Sequence, residues 1–131
     1  MALVAPTPAI DPKRAGGAAL RTFFRISEAW GLRPKEERVI LGNPAPSTFF
    51  HWKKEKDGAL SRDVLERISY VIGIYKALQI LLPRAEAADA WVRKENTAPQ
   101  FGGRSALDRM LSGNVSDLYV VRAYLDGQRG G

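Results

Sequence analysis

The chain has 131 residues, of which 45% are apolar and 26% charged, and its 20 Lys and Arg against 14 Asp and Glu give a formal charge of +6. This length suits one compact domain, or two small helical units that share a core, and it excludes a multidomain enzyme. The chain contains no cysteine, which excludes a disulfide framework, a zinc finger and a thiol nucleophile.

The N-terminal part is predicted to pass from disorder into two helices. Residues 1–14 contain three prolines and no amphipathic repeat, so we expect this segment to be disordered. From about Gly17, large apolar residues recur at spacings of three and four up to Trp30, and a glycine follows as a stop signal. A short second helix is predicted over 34–41, because proline favours the first helical turn and a glycine again follows.

The middle of the chain is predicted to form a third and a fourth helix. The third, over 47–56, is aromatic and basic and ends at an Asp-Gly turn. The fourth begins after the N-cap Ser61, and its apolar residues step by four and three as far as Leu82, with Pro83 as the stop. This long helix is expected at the centre of the fold.

Residues 83–131 are predicted to form a second, smaller helical unit. A helix over 84–94 precedes a loop over 95–104 that is rich in turn-forming residues. Ser105 opens a short helix, because Asp108 three residues later completes a capping box. A last helix then leads to a glycine-rich end that we expect to be flexible. No strand pattern occurs, so the predicted fold class is all-α, with a helix-turn-helix unit followed by a small helical unit.

The second and third helices have the proportions of a helix-turn-helix, whose second helix lies in the major groove of DNA. The charge agrees, since residues 1–82 carry 13 Lys or Arg and 8 Asp or Glu, a net +5, whereas residues 83–131 carry 7 and 6, a net +1. Phe49 and Trp52 would anchor the third helix on the core and leave its polar residues in solvent. The candidate DNA contacts are Ser47, Thr48, His51, Lys53 and Lys54. A solvated, lysine-rich surface helix is the open alternative.

Residues suited to catalysis or metal binding are sparse. The single histidine, His51, has no nucleophile or orienting acid at a recognisable spacing, and Glu55 is the one carboxylate four positions away. Acidic pairs such as Glu36 and Glu37 lie at helix starts, where the helix dipole explains them. The glycines at 102–103 lack the lysine and spacing of a phosphate loop. We therefore expect no enzymatic activity, no metal and no cofactor.

The hydropathy of the chain contains no sign of membrane insertion. Its most apolar stretch is interrupted by polar residues and falls short of the roughly 20 residues that a spanning helix needs. The first ten residues lack the basic region of a secretory signal. We expect a soluble, cytoplasmic protein without membrane contacts.

Phe101 has two open interpretations. It lies among glycines in the loop over 95–104, beside Arg104. Phenylalanine and arginine in such a loop resemble an exposed interface anchor, because both are enriched at binding hot spots. The equal alternative is that Phe101 caps the core beneath the sixth helix.

Three C-terminal segments carry a specific pattern, namely Trp91-Val-Arg-Lys-Glu-Asn96, Pro99-Gln-Phe-Gly-Gly-Arg-Ser-Ala-Leu-Asp-Arg-Met-Leu-Ser-Gly113 and Asp117-Leu-Tyr-Val-Val-Arg-Ala-Tyr-Leu-Asp126. They resemble the toxin-binding domain of the Xre/MbcA/ParS antitoxins. Residues 17–82, with Ser47-Thr-Phe-Phe-His-Trp-Lys-Lys54, are similar to the Xre-like helix-turn-helix domain that precedes it in that family. The chain departs from the family pattern at Glu95 and Ala106, where proline is common, and at His51, where arginine is common.

The resemblance implies an antitoxin of a type II toxin–antitoxin system that blocks the active site of a RES-domain, NAD-degrading toxin and represses its own operon. It implies DNA binding and dimerisation in residues 15–82 and toxin binding in residues 83–131. The implied partners are the cognate toxin, operator DNA and a second copy within a larger complex. The candidate toxin contacts are Asn96, Phe101, Arg104, Arg122, Asp126 and Arg129. A stand-alone helix-turn-helix regulator with a helical dimerisation domain is the alternative.

Overall fold

A computed structural model describes residues 11–130, which fold into seven α-helices, one 3-10 turn and no strand. The elements in chain order are α1 Pro12–Trp30, α2 Pro34–Ile40, α3 Pro46–Glu55, α4 Arg62–Leu81, α5 Ala85–Ala90, the 3-10 turn Trp91–Arg93, α6 Ala106–Met110 and α7 Val115–Gly130. The predicted all-α class, with a helix-turn-helix unit followed by a helical unit, is confirmed. The disorder predicted for residues 1–10 and the flexibility predicted for residue 131 lie outside the described residues.

The start of α1 differs from the prediction, because the helix begins at Pro12 and not near Gly17. The Asp11 carboxylate caps the helix by accepting from the backbone N–H of Lys13 at 3.0 Å. Residues 12–14, predicted to be disordered, are therefore helical. Gly16 is buried against the turn before α4, where a Cβ atom would overlap the carbonyl oxygen of Gly58. Glycine adds nothing to a hydrophobic repeat, so the apolar spacing of α1 could not predict this contact between Gly16 and the turn before α4.

The core is continuous through both helical units and is centred on α4. This helix packs most extensively on α7 and next on α1, so its apolar surface is covered from two sides. The fully buried side chains include Leu20 and Phe23 of α1, Ile68, Val71, Ile74 and Leu78 of α4, and Leu118, Val121 and Leu125 of α7. The central position predicted for the fourth helix is thus confirmed.

Two arginines tie the helix-turn-helix unit to the C-terminal unit. Arg67 of α4 is buried, and its Nη1 donates to the carbonyl oxygen of Gly113 at 2.9 Å. Arg93, from the 3-10 turn, donates through Nε to the carbonyl oxygen of Trp30 at 3.0 Å and through Nη2 to that of Gly31 at 2.7 Å. Because each guanidinium satisfies backbone acceptors of the other unit, the two units hold a fixed arrangement.

Glu36 and Glu37, whose position at a helix start was explained by the helix dipole, are buried, at 6% and 3% exposure. Glu36 Oε1 accepts from the backbone N–H of Arg33 at 2.9 Å and lies 3.4 Å from Arg93 Nη2. Burial raises the pKa of Glu36, but the hydrogen bonds from Arg33 and the charge of Arg93 outweigh it and hold this pKa below its ordinary value. The helix dipole alone does not account for this pair, which belongs to the interior.

Hydrogen bonds to the Asp117 carboxylate hold the loop before α7. The Ser112 hydroxyl donates to Asp117 Oδ2 at 2.6 Å, and Arg109 Nε donates to Oδ1 at 2.9 Å. The hydrogen bond from Ser112, with help from Arg109, lowers the pKa of Asp117 against the opposing effect of burial. The ionised form of this carboxylate therefore favours the folded chain.

The end of α7 also differs from the prediction. The glycine-rich segment from Gly127 was expected to be flexible, but the helix continues to Gly130. Residues 126–130 are all exposed. The C-terminal end is therefore a helical projection and not a loose tail.

Candidate DNA-binding and toxin-binding surfaces

The helix-turn-helix is formed by α2, a short turn and α3. Gly42 and Asn43 take left-handed backbone conformations, with φ of 96° and 57°, which reverse the chain between the two helices. Helix α3 then starts at Pro46, and no side chain caps its first amides. Phe49 is 1% exposed and packs on Phe24 of α1, with ring centroids 6.2 Å apart. The predicted anchoring by Phe49 is confirmed, and it leaves the opposite face of α3 in solvent.

The polar candidates on α3 share that solvent-facing side. Ser47, Thr48, His51 and Lys54 are all exposed. With about 100° of rotation per residue, Ser47, His51 and Lys54 lie within an arc of about 60°. His51 Nε2 is 2.8 Å from Asp57 Oδ1, so an acid just beyond the helix orients the imidazole. Hydroxyl, imidazole and ammonium groups on one helical face are the types that bind base edges and phosphates.

Lys53 does not lie on that face. Its Nζ is 2.6 Å from Glu37 Oε1, and the Glu37 side chain is only 4% exposed. The Ser27 hydroxyl donates to the other oxygen of Glu37 at 2.6 Å. Lys53 is therefore the counter-ion of a buried carboxylate and holds α3 against α1 and α2. The expectation that Lys53 contacts phosphate beside Lys54 is corrected, because spacing alone does not reveal a buried acid 16 positions earlier.

Exposed arginines of α1 extend the positive charge beside α3. Arg14, Arg21 and Arg25 are exposed, and their separations of seven and four residues place them in one stripe. Arg21 and Arg25 line a cleft of about 610 Å³ between α1, α2 and α3, together with Lys56. These arginines were not predicted, although their spacing of seven and four residues is visible in the sequence.

The loop over 95–104 is closed by its own backbone. Asn96 N donates to the carbonyl oxygen of Arg104 at 3.0 Å, and Gly103 N donates to that of Asn96 at 2.9 Å. The side-chain oxygen of Asn96 accepts from the backbone N–H of Ala98 at 2.9 Å. Asn96 therefore shapes the loop, whereas Arg104 is 77% exposed and lies 3.7 Å from Asp108 Oδ2. Of the three candidates in this loop, Arg104 is the most exposed to solvent.

Phe101 is only 5% exposed. Its ring makes edge-to-face contacts with Trp91, at a centroid distance of 6.0 Å, and with Tyr124 of α7, at 5.1 Å. The interpretation of Phe101 as an exposed anchor is thus wrong, and the alternative that it caps the core is confirmed. The neighbouring glycines do not predict whether the Phe101 ring is exposed, because the loop folds back onto α7 and buries the ring.

The three candidates on α7 share one face. Arg122 Nε is 3.5 Å from Asp126 Oδ2, and Arg129 follows seven positions after Arg122 on the same side of the helix. The Arg122 guanidinium lies over Gly73 of α4, where any Cβ atom would collide with it. The absence of a side chain at Gly73 therefore sets the place of Arg122 on the surface.

The candidate toxin contacts form two surfaces and not one. Tyr124, which receives the loop through Phe101, is about 200° around α7 from Arg122. The loop with Arg104 and the face with Arg122 and Arg129 therefore lie on opposite sides of the helix. We call them the loop surface and the α7 surface.

Comparison with known proteins agrees with this arrangement. Residues 9–73 match the family model described as the antitoxin Xre-like helix-turn-helix domain. Residues 77–131 match the antitoxin Xre/MbcA/ParS C-terminal toxin-binding domain. The chain belongs to the Xre/MbcA/ParS antitoxin family. The antitoxin is also 48% identical over 125 residues to Uncharacterized protein y4oB of Sinorhizobium fredii (strain NBRC 101917 / NGR234), a match that covers 95% of this chain and 94% of that protein.

The two matched regions of the antitoxin meet inside α4, between residues 73 and 77. The first part of α4 thus belongs to the helix-turn-helix match and its last turns to the toxin-binding match. One continuous helix therefore carries the backbone connection between the two candidate surfaces.

Residues 11–130 of the antitoxin contain neither a membrane-spanning helix nor a metal-binding cluster. In that part of the chain, no helix combines the length and apolar character of a membrane span. No cluster of three or more His, Asp or Glu side chains there is arranged to hold a metal ion.

Proposed function

We propose that this antitoxin neutralises a RES-domain toxin that degrades NAD, by covering the toxin's active site, and that it represses its own operon through α3. The observation that carries the proposal is the projecting end of α7, where Asp126 and Arg129 are exposed on a helix within the matched toxin-binding domain. The match to that domain also favours an antitoxin over a stand-alone transcriptional regulator.

The chemistry of the α7 surface supports a direct block of a dinucleotide site. A site for a dinucleotide presents hydrogen-bond donors to the diphosphate, and the Asp126 carboxylate offers two acceptor oxygens to such donors. Arg129, one turn further on, complements acidic groups at the rim of the site. Because residues 126–130 stay helical, little ordering entropy is lost on binding. Inhibition is then steric and competitive with NAD.

Toxin neutralisation is tested by measuring NAD consumption by the purified RES-domain protein encoded beside the antitoxin gene. Intact antitoxin should abolish the activity at equal molar ratio, and excess NAD should slow the onset of inhibition. Removal of residues 127–131, or Arg129→Ala, should weaken inhibition at least tenfold, whereas Arg84→Ala, an exposed arginine at the start of α5, should not. Full inhibition by the truncated chain would transfer the role to the loop surface with Arg104.

The DNA-binding part of the proposal assigns base and phosphate contacts to Ser47, Thr48, His51 and Lys54. A single short helix gives little affinity, so the proposal includes a homodimer that binds a two-fold operator. A shallow groove lined by Ala19 of α1, by Leu65 and Ile72 of α4 and by the charged side chains of Lys76 and Arg122 supplies a surface for the second copy. Light scattering at tens of micromolar that finds only monomer would refute the dimer, and an absence of binding to the antitoxin's own promoter would refute autoregulation.

A further inference from the structure

Phe50 is an unusual feature of the DNA-facing helix. Its side chain is 55% exposed, in the second helix of the helix-turn-helix. Other exposed large apolar residues, Leu65, Ile80 and Tyr119, lie on α4 and α7, away from this face. An apolar ring kept in water costs free energy that burial against a ligand would recover. Phe50 is therefore a candidate for direct contact with whatever α3 binds.

The position of Phe50 on α3 places it among the polar candidates for DNA contact. At about 100° per residue, Phe50 lies about 40° from Lys54 and about 60° from Ser47 around the helix. His51 is its chain neighbour on the same exposed side. A surface that combines one aromatic ring with cationic and hydroxyl groups matches a polyanion that also displays an apolar group.

The Phe50 ring is supported by contact with a buried aromatic ring. It contacts Phe49 edge to face, with centroids 5.0 Å apart and an interplanar angle of 70°. Phe49 is fully buried and packs in turn on Phe24 of α1. A surface ring supported by a buried ring loses little rotamer freedom on binding, which favours its use as a contact.

We propose that Phe50 binds the 5-methyl group of thymine in the major groove and makes the operator specific for thymine at the facing position. This inference rests on the proposed binding of DNA by α3. The thymine methyl is the one apolar group among the base edges of the major groove, and phenylalanine is among the side chains that contact it. Lys54 supplies phosphate neutralisation next to the ring, which favours duplex DNA over an apolar protein partner.

The test removes the ring and the methyl group separately and together. A duplex selected from random DNA by the intact antitoxin is prepared with each thymine replaced in turn by uracil, which lacks only the methyl group. At the contacted position, uracil should weaken binding by wild type about fourfold, from the transfer free energy of one buried methyl group. Phe50→Ala should weaken binding to the thymine duplex about tenfold. The same uracil should then leave the affinity of Phe50→Ala nearly unchanged.

Two variants control for misfolding and for a general loss of apolar surface. Phe50→Leu keeps an apolar contact and should retain sensitivity to the uracil replacement. Ile80→Ala removes an apolar side chain that is 60% exposed on α4 and should bind both duplexes like wild type. If no thymine is sensitive, or if Phe50→Ala shows the same sensitivity as wild type, the thymine contact is refuted while DNA binding stands. If the intact antitoxin selects no duplex, DNA binding by α3 and the thymine contact both fail.

Discussion

The close approach of α1 to the turn before α4 predicts a large effect of a single methyl group. In Gly16→Ala, the new Cβ would overlap the carbonyl oxygen of Gly58 and lie 3.0 Å from its carbonyl carbon and 3.3 Å from Leu60 Cγ. Two of these atoms belong to backbone, so relief requires a shift of the whole helix or turn. Such overpacking costs about 1–3 kcal/mol, against which the better helix propensity of alanine returns roughly 1 kcal/mol.

We expect the clash to prevail and Gly16→Ala to lower the free energy of unfolding by about 1–2 kcal/mol, because rigid backbone atoms make this an extreme case of overpacking. The matched control is Gly127→Ala, since Gly127 is also helical but its new Cβ meets nothing within 4 Å. That variant should be neutral or gain up to about 0.5 kcal/mol, because a position in the last turns of a helix gains less from alanine than an interior position does. Urea unfolding followed by circular dichroism measures both. If Gly16→Ala is as stable as Gly127→Ala, the close packing of α1 on this turn is incorrect.

Three further outcomes are expected. Lys54→Ala should make the plot of log K against log salt shallower by about 0.9 for each phosphate that is no longer neutralised, whereas Lys53→Ala should leave this slope unchanged and lower stability. Equal slopes for the two variants would contradict the separation of the two lysines. Phe101→Ala should lower the free energy of unfolding by about 3–5 kcal/mol in urea titrations, because the ring is enclosed, and a decrease below about 1 kcal/mol would mean that it is not. Because the pKa of Asp117 is lowered in the folded chain, its stabilisation is present above the unfolded pKa and is lost as pH falls through the folded value, so Asp117→Asn should flatten the acid side of the stability profile.

The helices were predictable because their signals are local. Apolar spacing located α1 and α4, and the capping box at Ser105 marked the start of α6 with its reciprocal bonds to Asp108. The interior charges were not predictable in this way. Glu37 is buried because Lys53 and Ser27 reach it from distant parts of the chain, and no periodic pattern encodes that meeting.

The candidate site was predictable only where it depends on local signals within one helix. The exposed face of α3 followed from the anchor Phe49, whose burial is a property of one helix. The burial of Phe101 depends on Trp91 and Tyr124, which are separated from it by 10 and 23 positions. The helical end of α7 was missed because a glycine costs a helix only about 1 kcal/mol, which the preceding turns of α7 can tolerate.

The two units of the antitoxin depend on each other for their cores. Helix α4 buries one side on α1 and the other on α7, so a cut near the meeting point of the two family matches would expose apolar surface on both fragments. It would also leave Arg67 without the Gly113 carbonyl and Glu36 without Arg93. On α2, Glu36 faces the C-terminal unit through Arg93, while its neighbour Glu37 holds α3 through Lys53. Helix α2, with seven residues, is thus held by both units, and α3 is positioned partly by the unit that carries the toxin-binding match.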